Sequence, residues 1–170
     1  MDSNRCAWVA VFVFFTALGC RAADDAANVV RDVEFAVGNV PENIVKAAQE
    51  NFQVSKFISA EKRTCNKKIV HFELEMKLRD KTTIDAYFDP NGKLLRTGVS
   101  VVAANIPPAV QAAFNKLYAD WTVTECNKET DAATKQDVYS IDINKGGKQL
   151  EVDIAPDGTI VKTLELKDED

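Results

Sequence analysis

Apolar side chains recur at helical spacing in two stretches of this chain, one starting at Pro41 and the other at Pro107. A spacing of three and four residues places them on one face of an α-helix. Proline suits the first helical turn, because a backbone N–H is unpaired there in any case. Each stretch therefore predicts a helix, with an apolar face of Ile44, Ala47, Ala48 and Phe52 in the first and of Val110, Ala113, Phe114 and Leu117 in the second.

The period changes to two after each predicted helix, which is the spacing of a β-strand. One apolar and one polar side per strand indicates an antiparallel sheet that is covered on one face and wet on the other. Pro90-Asn91-Gly92 and Pro156-Asp157-Gly158 are turn sequences that join the last two strands of each set. The predicted strands lie at residues 57–63, 71–78, 83–88 and 94–101, and then at 122–126, 139–144, 150–154 and 160–166.

The same order of elements occurs twice along the chain. Pro41 and Pro107 are 66 residues apart, and so are Pro90 and Pro156. A shared offset at both landmarks predicts an internal duplication. We expect an α+β fold of two tandem repeats, each with one helix packed on a four-stranded antiparallel sheet. The repeats would occupy residues 40–101 and 106–166, after an extension at 23–39 that could add a strand or a helix edge and before an acidic tail at 167–170.

Residues 1–22 have the pattern of a secretory signal. Arg5 precedes a 12-residue apolar run at 7–18, which is too short to span a membrane, and small residues follow it. Cleavage after Ala22 is one interpretation, and lipidation of Cys20 is the other, because the residues before Cys20 partly match a lipoprotein box. Either interpretation predicts an exported protein, periplasmic or secreted, with no transmembrane span in the mature chain.

Charge and residue types exclude several functions. The formal net charge is −5, with scattered Lys and Arg, so nucleic acid is not an expected partner. His71 is the single histidine, which excludes a zinc site built from several histidines. The sequence has no glycine-rich phosphate loop and no Gly-x-Ser-x-Gly motif. We therefore predict a non-enzymatic protein without catalytic residues, cofactor or metal.

The polar sides of the predicted strands carry the clustered chemistry of this sequence. Two adjoining wet faces would form an acidic platform that docks a basic partner protein, with Tyr87 as an anchor. Small-ligand or metal-ion binding through the same face is the second hypothesis, and a solvated face without a function is the plain alternative. The candidate binding residues are His71, Glu73, Glu75, Asp85, Tyr87, Asp142, Glu151 and Asp153.

Two cysteines remain once the signal is removed. An even pair in an exported chain is compatible with a disulfide between Cys65 and Cys126. Two separate thiols, one in each repeat, are the alternative.

The second predicted repeat resembles a known family. It contains Ile106-Pro107 followed by Val110, Ala113 and Phe114, then the strands at 139–143 and 148–154 and the turn at 156–160. These motifs are similar to those of the PepSY-like family of exported bacterial proteins, which are also described as beta-lactamase-inhibitor-protein-like. The resemblance implies tandem helix-plus-sheet repeats, a non-enzymatic envelope protein, and binding or inhibition of another protein such as a peptidase. It carries no catalytic or ligand-binding residues to this chain.

Overall fold

A computed structural model describes residues 29–167. The predicted signal at 1–22, with its cleavage site and Cys20, and the last three residues of the predicted tail lie outside the described residues. Within 29–167, no helix has both the length and the apolar character needed to cross a membrane.

Two helices and nine strands make up the described chain. A short 3-10 turn precedes each helix, at Val37–Asn39 and at Ala103–Asn105. Both helices begin within one residue of the proline that predicted them. The elements in chain order are β1 Val30–Glu34, α1 Glu42–Asn51, β2 Val54–Cys65, β3 Lys68–Leu78, β4 Thr83–Phe88, β5 Leu94–Ser100, α2 Pro108–Tyr118, β6 Thr122–Asp131, β7 Asp137–Lys145, β8 Lys148–Ile154 and β9 Ile160–Leu166.

The nine strands form one closed barrel in sequential order. The expectation of two repeats, each with its own helix on a separate four-stranded sheet, is therefore wrong. β5 pairs with β6 over five residues, from Arg96 with Asp131 to Ser100 with Asn127, so the strand sets share one ladder. Strand alternation specifies which face of a strand is apolar, but not which free edges of two strand sets will meet.

β1 closes the barrel. It pairs antiparallel with β2 along its whole length, from Val30 with Cys65 to Glu34 with Glu61. On its other side Val30 pairs in parallel with Leu166 of β9, and the Lys167 N–H donates to the Val30 carbonyl at 2.9 Å. The extension at 23–39 thus supplies a strand that fills the gap between the first and last strands of the two sets.

The apolar side of the sheet faces outward and is covered by the helices. Ile44 and Ala48 of α1 are fully buried against β3 and β4, and Val110 of α2 is fully buried against β7 and β8. The buried strand residues of these two cores are Ala60, Phe72, Leu74, Met76, Ile84, Ala86 and Phe88 for α1, and Cys126, Tyr139, Ile141, Ile143, Leu150, Val152 and Ile154 for α2. Because strand side chains alternate, the polar side of every strand turns into the barrel.

The last turn of each strand set contacts the start of a helix. In the β4–β5 turn, Asn43 Nδ2 donates to the Pro90 carbonyl at 3.0 Å. In the β8–β9 turn, Gly158 has φ +90°, and a Cβ built there would lie 2.8 Å from the Ala109 carbonyl oxygen. Glycine is required at this turn by its backbone conformation and by the close approach of α2.

Replacement of Gly158 with Ala tests this contact. We expect Gly158→Ala to lower the free energy of unfolding by on the order of 2 kcal/mol, because it adds backbone strain and a collision with Ala109. Gly146→Ala is the matched control, since Gly146 also has positive φ but meets no atom within 4 Å. Urea unfolding would measure both variants, and equal losses would contradict the proposed contact.

Candidate functional site

A polar cavity of about 360 Å³ lies inside the barrel. Nine carboxylates and one guanidinium line it, so its wall is strongly acidic. Small-molecule sites in proteins usually have volumes of about 300–1,000 Å³ but mostly apolar walls. The lining residues are Asp32, Ser59, Glu61, Arg63, Glu73, Glu75, Thr83, Asp85, Tyr87, Ser100, Glu125, Asn127, Glu129, Ser140, Asp142 and Glu151.

The eight predicted binding residues are brought together by the closed sheet. Six of them line the cavity, and the other two lie beside it: His71 packs against the Tyr87 ring, and Asp153 shares Lys162 with Glu151. The expected exposure is wrong, because His71, Tyr87, Glu151 and Asp153 are buried and the rest of the set is half-buried. Closure turns the predicted wet platform into an interior wall.

Several cavity residues were not singled out from the sequence. They lie on β1, β2, β5 and β6, the strands that join the two predicted sheets or close the barrel. Their signal was present, because polar residues alternate along both β2 and β6. What was missing was the pairing that brings those strands to the same cavity. These residues are Asp32, Glu61, Arg63, Glu125, Asn127 and Glu129 in the cavity lining, with Arg96 beside it in contact with Glu129.

Arg63 joins three strands across the interior. Its Nε and Nη2 donate to the two carboxylate oxygens of Asp32 at 2.7 and 2.6 Å, and Nη2 also contacts Glu151 Oε2 at 2.6 Å. Glu151 accepts a further bond from Lys162 Nζ at 2.7 Å. Burial by itself raises the pKa of Glu151, but Arg63 and Lys162 reverse this and hold the pKa well below its usual range.

A second ion pair, between half-buried Arg96 and buried Glu129, lies where the two strand sets meet. Arg96 Nη1 of β5 contacts Glu129 Oε2 of β6 at 2.9 Å, and the Arg96 guanidinium lies 4.3 Å from the centroid of the Tyr87 ring. His71 packs edge-on against the same ring at 5.5 Å. Burial, with Arg63 and Arg96 nearby, holds the pKa of His71 well below its usual range, so this imidazole is neutral at pH 7.

Six cavity carboxylates have no cationic partner within residues 29–167, in contrast to Asp32, Glu129 and Glu151. We call them the unpaired carboxylates: Glu61, Glu73, Glu75, Asp85, Glu125 and Asp142. Burial and the charges of Glu125 and Glu75 raise the pKa of Asp85 to about 7, and burial with Glu151 raises that of Asp142 to about 7. Burial and Asp85 raise the pKa of Glu73 well above its usual range. Like charges crowded in a partly dry space disfavour ionisation.

Asn127 lies in the same wall. Only 6% of its surface is exposed. Its Nδ2 donates to Glu125 Oε1 at 2.7 Å, while its buried Oδ1 accepts no hydrogen bond from the part of the chain that the structure describes. Among the described residues, no three carboxylate, histidine or cysteine side chains converge closely enough to hold a metal ion.

Cys126 is a free, buried thiol. The disulfide between Cys65 and Cys126, one of the two alternatives that the sequence left open, is not formed, because Cys126 is free and packs in the core under α2. Burial, and the nearby charges of Asp142 and Glu125, raise the pKa of this thiol to about 11. A thiol with such a pKa is a poor nucleophile at neutral pH.

Neither a protein-family model nor a curated protein matches the sequence. Among solved structures, the fold is similar to a BLIP-like protein of Bacteroides fragilis, with 19% identity, TM-score 0.53 and coverage of 78% of this chain and 92% of that one. A DUF2874 family protein of Bacteroides uniformis matches with 13% identity, TM-score 0.52 and coverage of 74% and 89%. A candidate periplasmic protein of Bacteroides eggerthii matches with 12% identity, TM-score 0.53 and coverage of 74% and 88%. The chain therefore has a BLIP-like fold.

Replacement of Arg63 with Met tests the ion pairs that join β1, β2 and β8 where the barrel closes. We expect the free energy of unfolding to fall by about 3 kcal/mol at pH 7, because the buried Glu151 keeps only Lys162 as a partner and the half-buried Asp32 loses its cation. The pKa of Glu151 is depressed in the folded protein, so this stabilisation exists above pH 4.5 and fades as pH falls. The difference in free energy of unfolding between wild type and Arg63→Met should therefore be smaller at pH 4 than at pH 7. Arg79→Met, at an exposed turn position, is the control.

Replacement of Asp85 with Asn tests the crowding of the unpaired carboxylates. The pKa of Asp85 is about 7 in the folded protein, whereas an ordinary aspartate has a pKa of 3.8. The folded protein therefore binds the Asp85 proton more tightly than the unfolded chain does. Stability is then lost as pH rises from about 4 to 7. We expect Asp85→Asn to be more stable than wild type by about 1–2 kcal/mol at pH 8 and equally stable at pH 4. Thermal unfolding at both pH values measures this, and a destabilised variant at pH 8 would contradict it.

Proposed function

We propose that this chain is an exported, non-enzymatic binding protein whose barrel cavity holds a small cationic ligand. The observation that carries the proposal is the set of six unpaired carboxylates facing one space of about 360 Å³. A cation in this space would offset the negative charges of Glu75 and Glu125, which together with burial raise the pKa of Asp85. This favours the second hypothesis from the sequence, small-ligand or metal-ion binding, with the site inside the barrel instead of on an exposed face.

The cavity is suited to binding more than to catalysis. The groups in and beside it already contact one another: Arg63 contacts two carboxylates, Arg96 contacts Glu129, and His71 packs against the Tyr87 ring. Within residues 29–167, the neutral, buried His71 imidazole is near two arginines and makes no hydrogen bond with a carboxylate that would orient it as a base. These features support a non-enzymatic role.

Export is supported from two directions. The first 22 residues have the composition of a secretory signal. One solved structure with this fold is a candidate periplasmic protein of Bacteroides eggerthii. The proposal places the protein in the periplasm or outside the cell, with cleavage after Ala22 or lipidation at Cys20 as the two forms of the mature chain.

A protein ligand is the second candidate function. Thr83, Ser100 and Glu125 line the cavity and are also exposed, so they mark its opening to solvent. A partner such as an envelope peptidase could insert a lysine or arginine side chain through this opening. The inhibitor-like hypothesis would then hold, but with a contact smaller than the broad platform expected from the sequence. The broad docking platform expected from the sequence no longer supports it, because its residues face inward.

Thermal unfolding with a panel of cations tests the proposed function. The panel comprises Ca²⁺, Mg²⁺, arginine, lysine-rich peptide and aliphatic amines, at matched ionic strength. A ligand at 100 times its Kd should add about 2.7 kcal/mol of stability. We expect this gain to be lost when Asp85 and Asp142 are both replaced with Asn.

Glu50→Gln is the control for this experiment. Glu50 lies on α1 outside the cavity, with its side chain 65% exposed, so the substitution removes a carboxylate without touching the site. No stabilisation by any cation of the panel would contradict the proposed function. Stabilisation by the peptide alone would favour the protein ligand.

A further inference from the structure

We infer that the junction of β1 with β9 is a pH-sensitive switch, which loosens when carboxylates inside the barrel ionise and tightens when they bind protons. Two observations carry the inference. The register of the sheet places carboxylates directly opposite one another on the inner face, and the junction of β1 with β9 has the fewest paired residues in the barrel wall that residues 29–167 form. The inference goes beyond the proposed function, because it concerns the closure of the barrel and requires no ligand.

Like charges face each other across neighbouring strands inside the barrel. Residues directly opposite in an antiparallel pair have Cβ atoms about 4.5–5.5 Å apart, and two carboxylates there destabilise the pair when both are ionised. The opposed carboxylates on the inner face are Glu34 with Glu61, Glu61 with Glu73, Glu75 with Asp85, Glu125 with Asp142, and Asp142 with Glu151. The closed sheet is therefore more stable when some of these carboxylates are protonated.

β1 is attached more firmly along one edge than along the other. With β2 it forms a continuous antiparallel ladder, whereas with β9 it forms a single pair, Val30 with Leu166. Each of the other ladders in the described barrel contains four or more pairs. Side chains add a second connection, since Arg63 contacts both Asp32 of β1 and Glu151 of β8. Local opening occurs where the fewest contacts have to break, so this junction opens first.

Glu61 couples the charge of the cavity to β1. The charged groups that face Glu61 are Asp32 and Glu34 of β1, Arg63 of β2, Glu73 of β3, Asp85 of β4 and Glu125 of β6. Burial, and then the charges of Asp32 and Glu34, raise the pKa of Glu61, while Arg63 lowers it. Because Asp32 and Glu34 both lie on β1, ionisation of Glu61 repels this strand. Movement of β1 away from the barrel relieves that repulsion.

Asp85 and Asp142 determine the pH range of the switch. The charged groups facing Asp85 are Glu61, Glu75, Glu125 and Glu129, and those facing Asp142 are Asp32, Arg63, Glu125 and Glu151. Burial is the largest cause that raises the pKa of both aspartates to about 7. Their stabilisation of the closed barrel is complete below the ordinary pKa of 3.8 and is lost as pH rises through about 7. The pKa of Glu151 is held well below the ordinary 4.5, so its ion pair with Arg63 remains formed at about pH 5.

Hydrogen exchange of the full chain, measured by mass spectrometry at pH 5 and pH 8 without added cations and corrected for the intrinsic exchange rate, tests the inference. We expect protection of the β1 amides to be at least about tenfold lower at pH 8 than at pH 5, since one pKa unit is a tenfold change in an equilibrium constant. At pH 8 the β1 amides should exchange at least about tenfold faster than those of β3. Low concentrations of urea should leave the β1 rate unchanged, because local opening exposes little surface.

Glu61→Gln tests which charge is responsible. We expect this variant to raise β1 protection at pH 8 by at least about threefold, because it ends the repulsion of Asp32 and Glu34, and to change protection at pH 5 by less than about twofold. Glu50→Gln is the matched control, since Glu50 lies on α1 with its side chain 65% exposed. It should alter β1 protection at neither pH.

Three results would overturn the switch. The first is equal β1 protection of the wild type at pH 5 and pH 8. The second is loss of protection in β1 and β3 together with the same dependence on urea, which indicates global unfolding. The third is β1 protection at pH 8 that is the same in folded Glu61→Gln as in the wild type. The wild-type comparison needs neither a variant nor a ligand, so it decides the switch whether or not the cavity binds a cation.

Discussion

The contact of Arg63 with Asp32 and Glu151 is the interaction on which the closed barrel depends. The three residues lie on β2, β1 and β8, so one guanidinium connects strands from the start and the end of the chain. Main-chain closure at this seam is sparse, since β1 and β9 share a single bridge at Val30 and Leu166. A buried charge is costly unless it is paired, and Arg63 and Glu151 each satisfy that requirement for the other. These ion pairs therefore favour this particular arrangement of β1, β2 and β8 where the barrel closes.

Closure has a consequence for the rest of the molecule. Strands with one apolar and one polar side can bury only one of them against helices, and α1 and α2 cover the apolar side from outside. The polar side is then enclosed, and its charges meet across a narrow space. Some of them find partners, as Glu129 does with Arg96. Others, such as Asp85 and Asp142, have a raised pKa because they are buried and, second, because other carboxylates lie near them. This excess of negative charge is the physical basis of the proposed cationic ligand.

The candidate site was partly visible in the sequence. Alternation identified Glu73, Asp85 and Glu151 as residues on one polar side, and this grouping holds in the structure. Their burial was not visible, because the same alternation describes an open wet face. Arg63 and Asn127 also lie in alternating stretches, but their importance comes from contacts with distant strands. The free thiol of Cys126 has the same explanation, since pairing of cysteines depends on where their strands lie in space.

The sequence by itself determined the local elements: proline and apolar spacing specify two helices near 41 and 107, and alternation specifies the strands and their apolar sides. These properties arise from contacts between residues close in the chain. Only the tertiary structure decided that β5 pairs with β6, that β1 enters beside β9, and that one barrel replaces two separate sheets. Edge pairing depends on backbone hydrogen bonds that every strand can offer, so the side-chain pattern does not select the partner. The acidic cavity is a product of that selection.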